Sequence, residues 1–303
     1  MEKRCHEPFL ELQTMNAASR FTAIVLAADR TGRDPVATAA GMACKAIVPI
    51  AGVPMVIRVL DALEDSGEVD AIILCGPPPS AIADCPELER RIGSGRVTWV
   101  PNLDSPSRSA DSGLAQCDAD TPVLLTTADH ALLSPAIVRH FLHAARLAQT
   151  DAAVGVVRHE DVAAAFPGVG RTVIRLGDGG ICGCNLYAFL NPRGRGLVAF
   201  WQQAEDLRKQ PWRLIAQVFG LRMVLSYVLG RLTLGKALHR VSARTGIRVQ
   251  PVFLPYPQAG IDVDKVEDMR LATSVLASTA PPADGDRQIR PAAKAENPPA
   301  EKR

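Results

Sequence analysis

Five places along the chain carry residues that could hold a phosphate group, a divalent cation or a ligand hydroxyl, and they lie far apart in sequence. Lys45 stands at the lip of the apolar run Ala46-Ile47-Val48-Pro49-Ile50, where an ammonium can either hold a phosphate as a point charge or snorkel to solvent. Asp129 closes Thr126-Thr127-Ala128-Asp129-His130. A carboxylate there suits Mg²⁺, which takes one or two carboxylates and leaves its other positions to water and substrate phosphate. The competing role of helix cap falls more naturally to Ser134, which directly precedes Pro135. Asp262 and Asp264 are two apart, so in an extended stretch both face one site. Asp262 is assigned to the metal, and Asp264 is divided between the metal and a capping pattern with Glu267. In Leu26-Ala27-Ala28-Asp29-Arg30-Thr31-Gly32-Arg33, backbone amides could cradle phosphates with Arg30 or Arg33 adding charge-assisted bonds; the alternative is a solvated surface loop. Asn185, in Gly180-Ile181-Cys182-Gly183-Cys184-Asn185, offers a donor and an acceptor to a ligand hydroxyl, although a structural turn explains those residues equally well. His130, His140 and His143 lack a partnered nucleophile and read as surface or structural.

The elements that must position these residues follow from periodicity. Phe21 to Ala28 is a short β-branched run ending in a polar loop, Asp29 to Ala43, and Met55 to Leu63 repeats its apolar residues at helical spacing. Strands are then expected at 71–74, 97–100, 123–127 and 152–157, separated by helices at 86–92, 109–116 and 135–147. Such alternation implies a mostly parallel sheet with helices on both faces, and in such sheets ligands sit beyond the carboxyl ends of the strands. Further strands are expected at 172–176, 181–190 and 247–254 and a helix at 197–207. Residues 1–20 read as an N-terminal extension, and 277–303, rich in Ala, Pro, Lys and Glu, as a disordered tail.

At 303 residues and 47% hydrophobic, the chain can bury a sizeable core, which excludes wholesale disorder. Seven scattered cysteines without a CxxC pair argue against a disulfide framework and a zinc site, and make a reducing cytoplasm the expected location. Neither an export signal nor a membrane span is expected from the apolar run lengths. The net charge of +2 conceals segregation. Residues 207–250 hold nine basic and no acidic side chains, leaving 25 basic against 32 acidic elsewhere. Nucleic acid is therefore not an expected partner. The segment 207–246, basic and apolar together, reads either as an interfacial stretch at the anionic inner face of a membrane or as a pair of core-packing helices.

Taken together, LAADRTGRDP followed by CKAIVPIAGVPMVIRVLDAL, then TTADH and IDVDKVEDM, resemble the molybdenum-cofactor guanylyltransferase-like (MobA-like) NTP transferases. The similarity covers about residues 21–275. It implies a three-layer αβα sandwich with a mostly parallel mixed sheet, Rossmann-like and of the glycosyltransferase-A type, over residues 21–276. By the resemblance, Leu26, Ala27, Ala28, Asp29, Gly32 and Arg33 form the nucleotide loop, and Arg30 and Lys45 offset charge on the phosphates. Asp129 and Asp262, with Asp264 in the divided role, would hold Mg²⁺. Arg108-Ser109-Ala110-Asp111-Ser112-Gly113-Leu114 is similar to a cytidylyltransferase stretch, implying a nucleotide contact at Ser109, and Asn185 is similar to an acceptor-binding asparagine. The implied reaction moves NMP from an NTP, CTP or GTP, to a phosphorylated sugar or polyol, including polar-lipid precursors, with release of pyrophosphate. Two departures stand out: Asp29 occupies a position usually glycine, and His130 one usually apolar or proline. Asp29 places a carboxylate where the triphosphate is expected, which keeps open a second reading as a non-catalytic nucleotide-binding protein. A glycosyltransferase is a weaker third, because Asp129-His130-Ala131 lacks the second carboxylate of a DxD motif.

Overall fold

Phe21–Leu26 forms strand β1 because its alternate side chains serve two cores at once. Phe21, Ala23 and Val25 enter one hydrophobic cluster, while Ile24 and Leu26 enter a second on the opposite face. A strand apolar on both faces belongs in the middle of a covered sheet. In the computed structural model, which describes residues 20–29, 34–206 and 220–279, β1 lies between β4 (Val69–Cys75) and β6 (Val123–Thr127), parallel to both. The other strands of this sheet are β5 (Val97–Val100), β7 (Ala152–Arg158), β8 (Ile174–Leu176), β9 (Gly179–Phe189) and β10 (Val249–Phe253). Their order is β10-β7-β9-β6-β1-β4-β5, with β8 paired to β9, and a separate hairpin joins β2 (Pro49–Ile50) to β3 (Val53–Pro54). Strand β9 runs antiparallel to both β6 and β7, which makes the sheet mixed.

One face of the sheet carries α2 (Met55–Glu64), α4 (Pro86–Gly93) and α6 (Pro135–Leu147), with α1 (Pro35–Ala40) and α12 (Val266–Thr279) completing that layer. The other carries α5 (Pro106–Leu114), α9 (Leu197–Asp206) and α11 (Leu234–Thr245). The architecture is thus the expected three-layer αβα sandwich. The shorter helices are α3 (Pro79–Ala83), α7 (His159–Ala165), α8 (Pro192–Arg195) and α10 (Leu221–Val228). Helix α5 can approach β1 closely because Gly113 has no side chain: a Cβ there would stand 2.9 Å from Ile24 Cγ2 and 3.0 Å from Cys75 Sγ.

Several boundaries differ from the sequence expectation, each for a local reason. The polar loop 29–43 contains α1, which the Asp34-Pro35 pair starts: the Asp34 carboxylate accepts from the Val36 and Ala37 amides and Pro35 fills the first turn. Helix α5 begins at Pro106 rather than 109, because Ser105 caps it through the Arg108 amide. Helix α12 continues to Thr279, past the expected start of the tail at 277. The remainder of that tail, the extension 1–19 and residues 207–219 lie outside the described residues.

The described part of the basic segment divides in two. Helix α11 packs on β10 through the second core, with Leu234 buried and Leu238 and Val241 against the cluster, as the core-packing reading expects. Helix α10 and the turn after it instead leave Leu225, Tyr227, Val228 and Leu229 exposed. Among the described residues no helix is long and apolar enough to cross a membrane.

Candidate active site

The carboxyl ends of β1 and β6 are held level by backbone bonds that outrun the strands. The Ala27 amide donates to Cys75 O at 2.9 Å, and the Ala128 amide donates to Leu26 O at 2.8 Å. Leu26 and Ala27, expected in the nucleotide loop, are therefore buried sheet residues that set where the strand stops, and Ala27's amide is spent on the sheet. Ala28 and Asp29 are half-buried at the rim, while Arg30, Gly32 and Arg33 lie outside the described residues. Gly76 comes close to this rim: a Cβ there would be 3.4 Å from the Ala28 amide nitrogen.

Asp29 does not point a free carboxylate into the site. Both its oxygens accept from the Lys45 amide, at 3.0 and 3.1 Å, tying the end of β1 to the single 3₁₀ turn Lys45–Ile47. Burial raises its pKa, and the Lys45 amide pulls against that rise. In place of the expected glycine, this chain uses a carboxylate as a staple across the loop.

The staple presents the Lys45 side chain to two carboxylates. Lys45 Nζ lies 2.7 Å from Asp129 Oδ2 and 3.2 Å from Asp264 Oδ1. Burial alone would depress the ammonium, yet attraction to Asp129 and Asp264 holds it above its ordinary range, so it stays charged. Burial acts to raise the Asp129 pKa, but the Lys45 charge and hydrogen bond outweigh it and hold that carboxyl below the usual range. Asp262 goes the other way. Burial first, then repulsion from Asp129 and Asp264, keeps it well above the usual carboxylate range.

The second oxygens of this pair decide what the site can hold. Asp129 Oδ1 and Asp262 Oδ1 are each shielded from solvent and have no hydrogen-bond partner. Buried carboxylate oxygens without donors are costly, and a hard cation is the ligand type that satisfies them while relieving their repulsion. Among the described residues no group of three or more His, Cys, Asp or Glu is placed to hold a metal. Of the three expected ligands, Asp129 and Asp262 thus offer free oxygens, while Asp264, 58% exposed at its side chain, serves Lys45. Two carboxylates fit Mg²⁺, which keeps waters and takes substrate oxygens for the rest.

The segment carrying Asp262 is fixed by partners that sequence reasoning missed. Val263 donates its amide to Asp129 O at 3.0 Å. Asp268 accepts from the amides of Asp264 at 3.1 Å and Lys265 at 3.0 Å, and pairs with Arg171 Nη2 at 2.9 Å. The capping expected from Asp264 with Glu267 is therefore made by Asp268, because α12 starts at Val266 and its third residue is the one that reaches back. A one-residue shift in the assumed helix start would have revealed Asp268; nothing local marks Arg171.

The remaining candidates divide. Ser109 is 2% exposed and its Oγ accepts from the Leu103 amide at 2.8 Å, so its hydroxyl shapes the loop after β5. Asn185 has a left-handed φ of 47°, at a bulge where Cys184, Asn185 and Leu186 of β9 face only Gly155 of β7. Such bulges re-aim side chains at the rims of sites. The β6–β9 pairing itself stops at Leu125 and Tyr187, two residues short of Asn185. His130 is fully buried rather than on the surface; burial pushes it down to about 4, so it is a neutral part of the wall. His140 packs edge-on to Tyr256 with ring centroids 5.6 Å apart, and His143 is exposed.

This arrangement, a half-buried lysine paired with Asp129 and Asp264 and free carboxylate oxygens on Asp129 and Asp262, can bind and align phosphate groups. The family profile described as the MobA-like NTP transferase domain matches residues 23–255. A hypothetical transferase from Thermus thermophilus is 29% identical, with a TM-score of 0.69, covering 82% of this chain and 99% of its own. The 4-diphosphocytidyl-2C-methyl-D-erythritol synthase of Anaerococcus prevotii is 15% identical with a TM-score of 0.53, covering 87% and 99%. A CMP:2-keto-3-deoxy-manno-octonic acid synthetase complexed with CTP is 15% identical with a TM-score of 0.51, covering 85% and 99%, and like the previous structure it shares the fold. No curated protein matches the sequence.

Proposed function

The chain belongs to the MobA-like NTP transferase family and is a nucleotidyltransferase, and from that premise we propose that it transfers NMP from CTP or GTP to a phosphorylated sugar or polyol. A phosphate oxygen of the acceptor attacks the α-phosphorus, the new P–O bond forms as the bond to the β-phosphate breaks, and pyrophosphate leaves. The observation that carries this reading is the charged Lys45 on one oxygen of Asp129, together with the partnerless second oxygen of Asp129 and that of Asp262. Mg²⁺ held by Asp129 and Asp262 would supply charge neutralisation at the reacting phosphate. Lys45 counters charge that builds on the departing phosphates, a role that a half-buried ammonium held protonated by its two carboxylates fills without reorganisation. Asp29 fixes Lys45 through its amide, and Ser109 orders the loop beside the nucleotide. By the family resemblance, Arg30 would join Lys45 on the phosphates, Gly32 and Arg33 would contact the nucleotide, and Asn185 would meet the acceptor. No side-chain nucleophile is required, since the acceptor supplies its own oxygen.

Pyrophosphate release, measured with each NTP against a panel of sugar and polyol phosphates, tests the reading. Turnover with one nucleotide and one acceptor class is expected, and CTP is the first to try, being the nucleotide held by the octonic acid synthetase relative. NTP binding without turnover for any acceptor would favour the non-catalytic alternative. That alternative rests on Asp29 facing the triphosphate, so it predicts tighter NTP binding by Asp29→Ala. Because the carboxylate instead serves the Lys45 amide, the variant is expected to turn over more slowly and to lose about 1–3 kcal/mol of stability.

Peripheral attachment at the inner face of a membrane, with a polar-lipid precursor as acceptor, is a finer reading that the exposed Leu225, Val228 and Leu229 favour. Exposed Arg231, Lys236 and Arg240 follow them with no acidic residue between. Flotation with phosphatidylserine-containing liposomes should carry wild-type protein upward and leave a Leu225→Ser/Val228→Ser/Leu229→Ser variant behind. Recovery of wild type entirely at the bottom of the gradient counts against attachment.

A further inference from the structure

Arg171 and Asp268 form a salt bridge of 2.9 Å with side chains only 9% and 8% exposed. Removing two charges from water is favourable only when their remaining donors and acceptors are also satisfied. Here the added bonds, which leave Arg171 Nε without a partner, converge on one short stretch. Asp268 accepts from the Asp264 and Lys265 amides, and Arg171 Nη1 donates to the Asp262 carbonyl oxygen at 2.9 Å. All three end on residues 262–265, the stretch that carries the site's later carboxylates.

Part of this pattern is ordinary capping, since Asp268 is the third residue of α12 and satisfies the amide just before the helix. The bond from Arg171 to Asp262 is different. That carbonyl stands four residues ahead of α12, and its donor comes from the irregular stretch between α7 and β8, 91 residues earlier. With the Val263 amide on Asp129 O, four hydrogen bonds fix the stretch. Turning the peptide between Asp262 and Val263 would break two of them, because that one unit carries both the carbonyl that accepts from Arg171 and the amide that donates to Asp129 O.

We propose that Arg171 and Asp268 are positioning residues that hold the Asp262 carboxylate against Asp129 and thereby set the affinity of that pair for a divalent cation. The inference rests on the two-carboxylate metal reading of the site, so its test must separate the two. Mn²⁺ binding to the full chain without nucleotide, followed by the loss of the free-ion EPR signal, reads the affinity directly. Arg171→Met and Asp268→Asn are each expected to weaken Mn²⁺ binding about tenfold or more, and Arg171→Lys to recover part of the loss. In an Asp262→Asn background, Arg171→Met should change nothing further, because it acts through the residue already altered. If Asp262→Asn weakens binding while folded Arg171→Met and Asp268→Asn keep wild-type affinity, the positioning role is overturned and the metal reading stands. If Asp262→Asn itself binds Mn²⁺ like wild type, both fall. Should Arg171→Met fail to fold, Arg171→Lys and Asp268→Asn carry the same comparison.

Discussion

Lys45→Met is expected to lower kcat by about 10²–10³ with the full-length protein at saturating NTP, the range found when one preorganised charge partner of a reacting group is removed. The methylene stem is kept, so packing changes little, but the ammonium that meets Asp129 at 2.7 Å and Asp264 at 3.2 Å is gone. The same variant should be less stable by about 1–3 kcal/mol near neutral pH, because Asp129, its side chain 17% exposed, loses its charged partner while still facing Asp262. The pH dependence has a definite sign. In wild type the Asp129 pKa is held low, so its contribution is present above the unfolded carboxylate value and lost as pH falls through the folded one. Without Lys45, burial and Asp262 both push Asp129 upward. The stability gap between the two proteins should therefore be widest at neutral pH, narrow as the pH drops toward about 4 as the variant's Asp129 protonates, and go on closing below that as the wild-type carboxylate protonates. Urea unfolding of both proteins between pH 4 and 8 measures this; a gap independent of pH would show that the lysine contributes packing rather than charge.

Asp262→Asn should move activity and stability in opposite directions. Its carboxyl sits well above the usual carboxylate range, through burial and then through repulsion from Asp129 and Asp264. Such a group binds its proton more tightly folded than unfolded, so metal-free protein loses stability as pH rises from about 4 toward the folded value. The amide removes that loss. Metal-free Asp262→Asn is expected to melt about 2–4 °C above wild type at neutral pH, a gain of about 1 kcal/mol, and to lose about a hundredfold in kcat. A melting point below that of metal-free wild type would show that Asp262 supports the fold and is not a strained functional group. Sites commonly carry such local cost where function needs it.

The strand ends were legible because local patterns are strong there. FTAIVLAA and VLLTT are apolar runs that stop at polar residues, and the chemistry of α/β sheets directs attention to where they stop. Asp129 was singled out on that basis, Lys45 by its place at the lip of an apolar run and Asp262 by its spacing from Asp264, and the structure brings Lys45 to Asp129 across 84 residues. The direction of Asp29 was not legible. A carboxylate in a phosphate loop reads as repulsive from sequence, and only the position of the Lys45 amide, sixteen residues on, shows it as an acceptor for that amide. Ser109 shows the same limit: its neighbours name a resemblance, while the Leu103 amide decides what its hydroxyl does.

By itself, the sequence determined the alternation of strands and helices, the family, and the residue types available at the strand ends, since these depend on local propensity, side-chain period and chemistry. Tertiary structure alone decided the pairings: which carboxylate meets Lys45, which retains partnerless oxygens, and that Arg171 reaches Asp262 and Asp268 across the fold. The physical reason is range. Backbone periodicity is written within a few residues, whereas a buried charge finds its partner wherever the packed chain supplies one, and no spacing along the sequence records that distance.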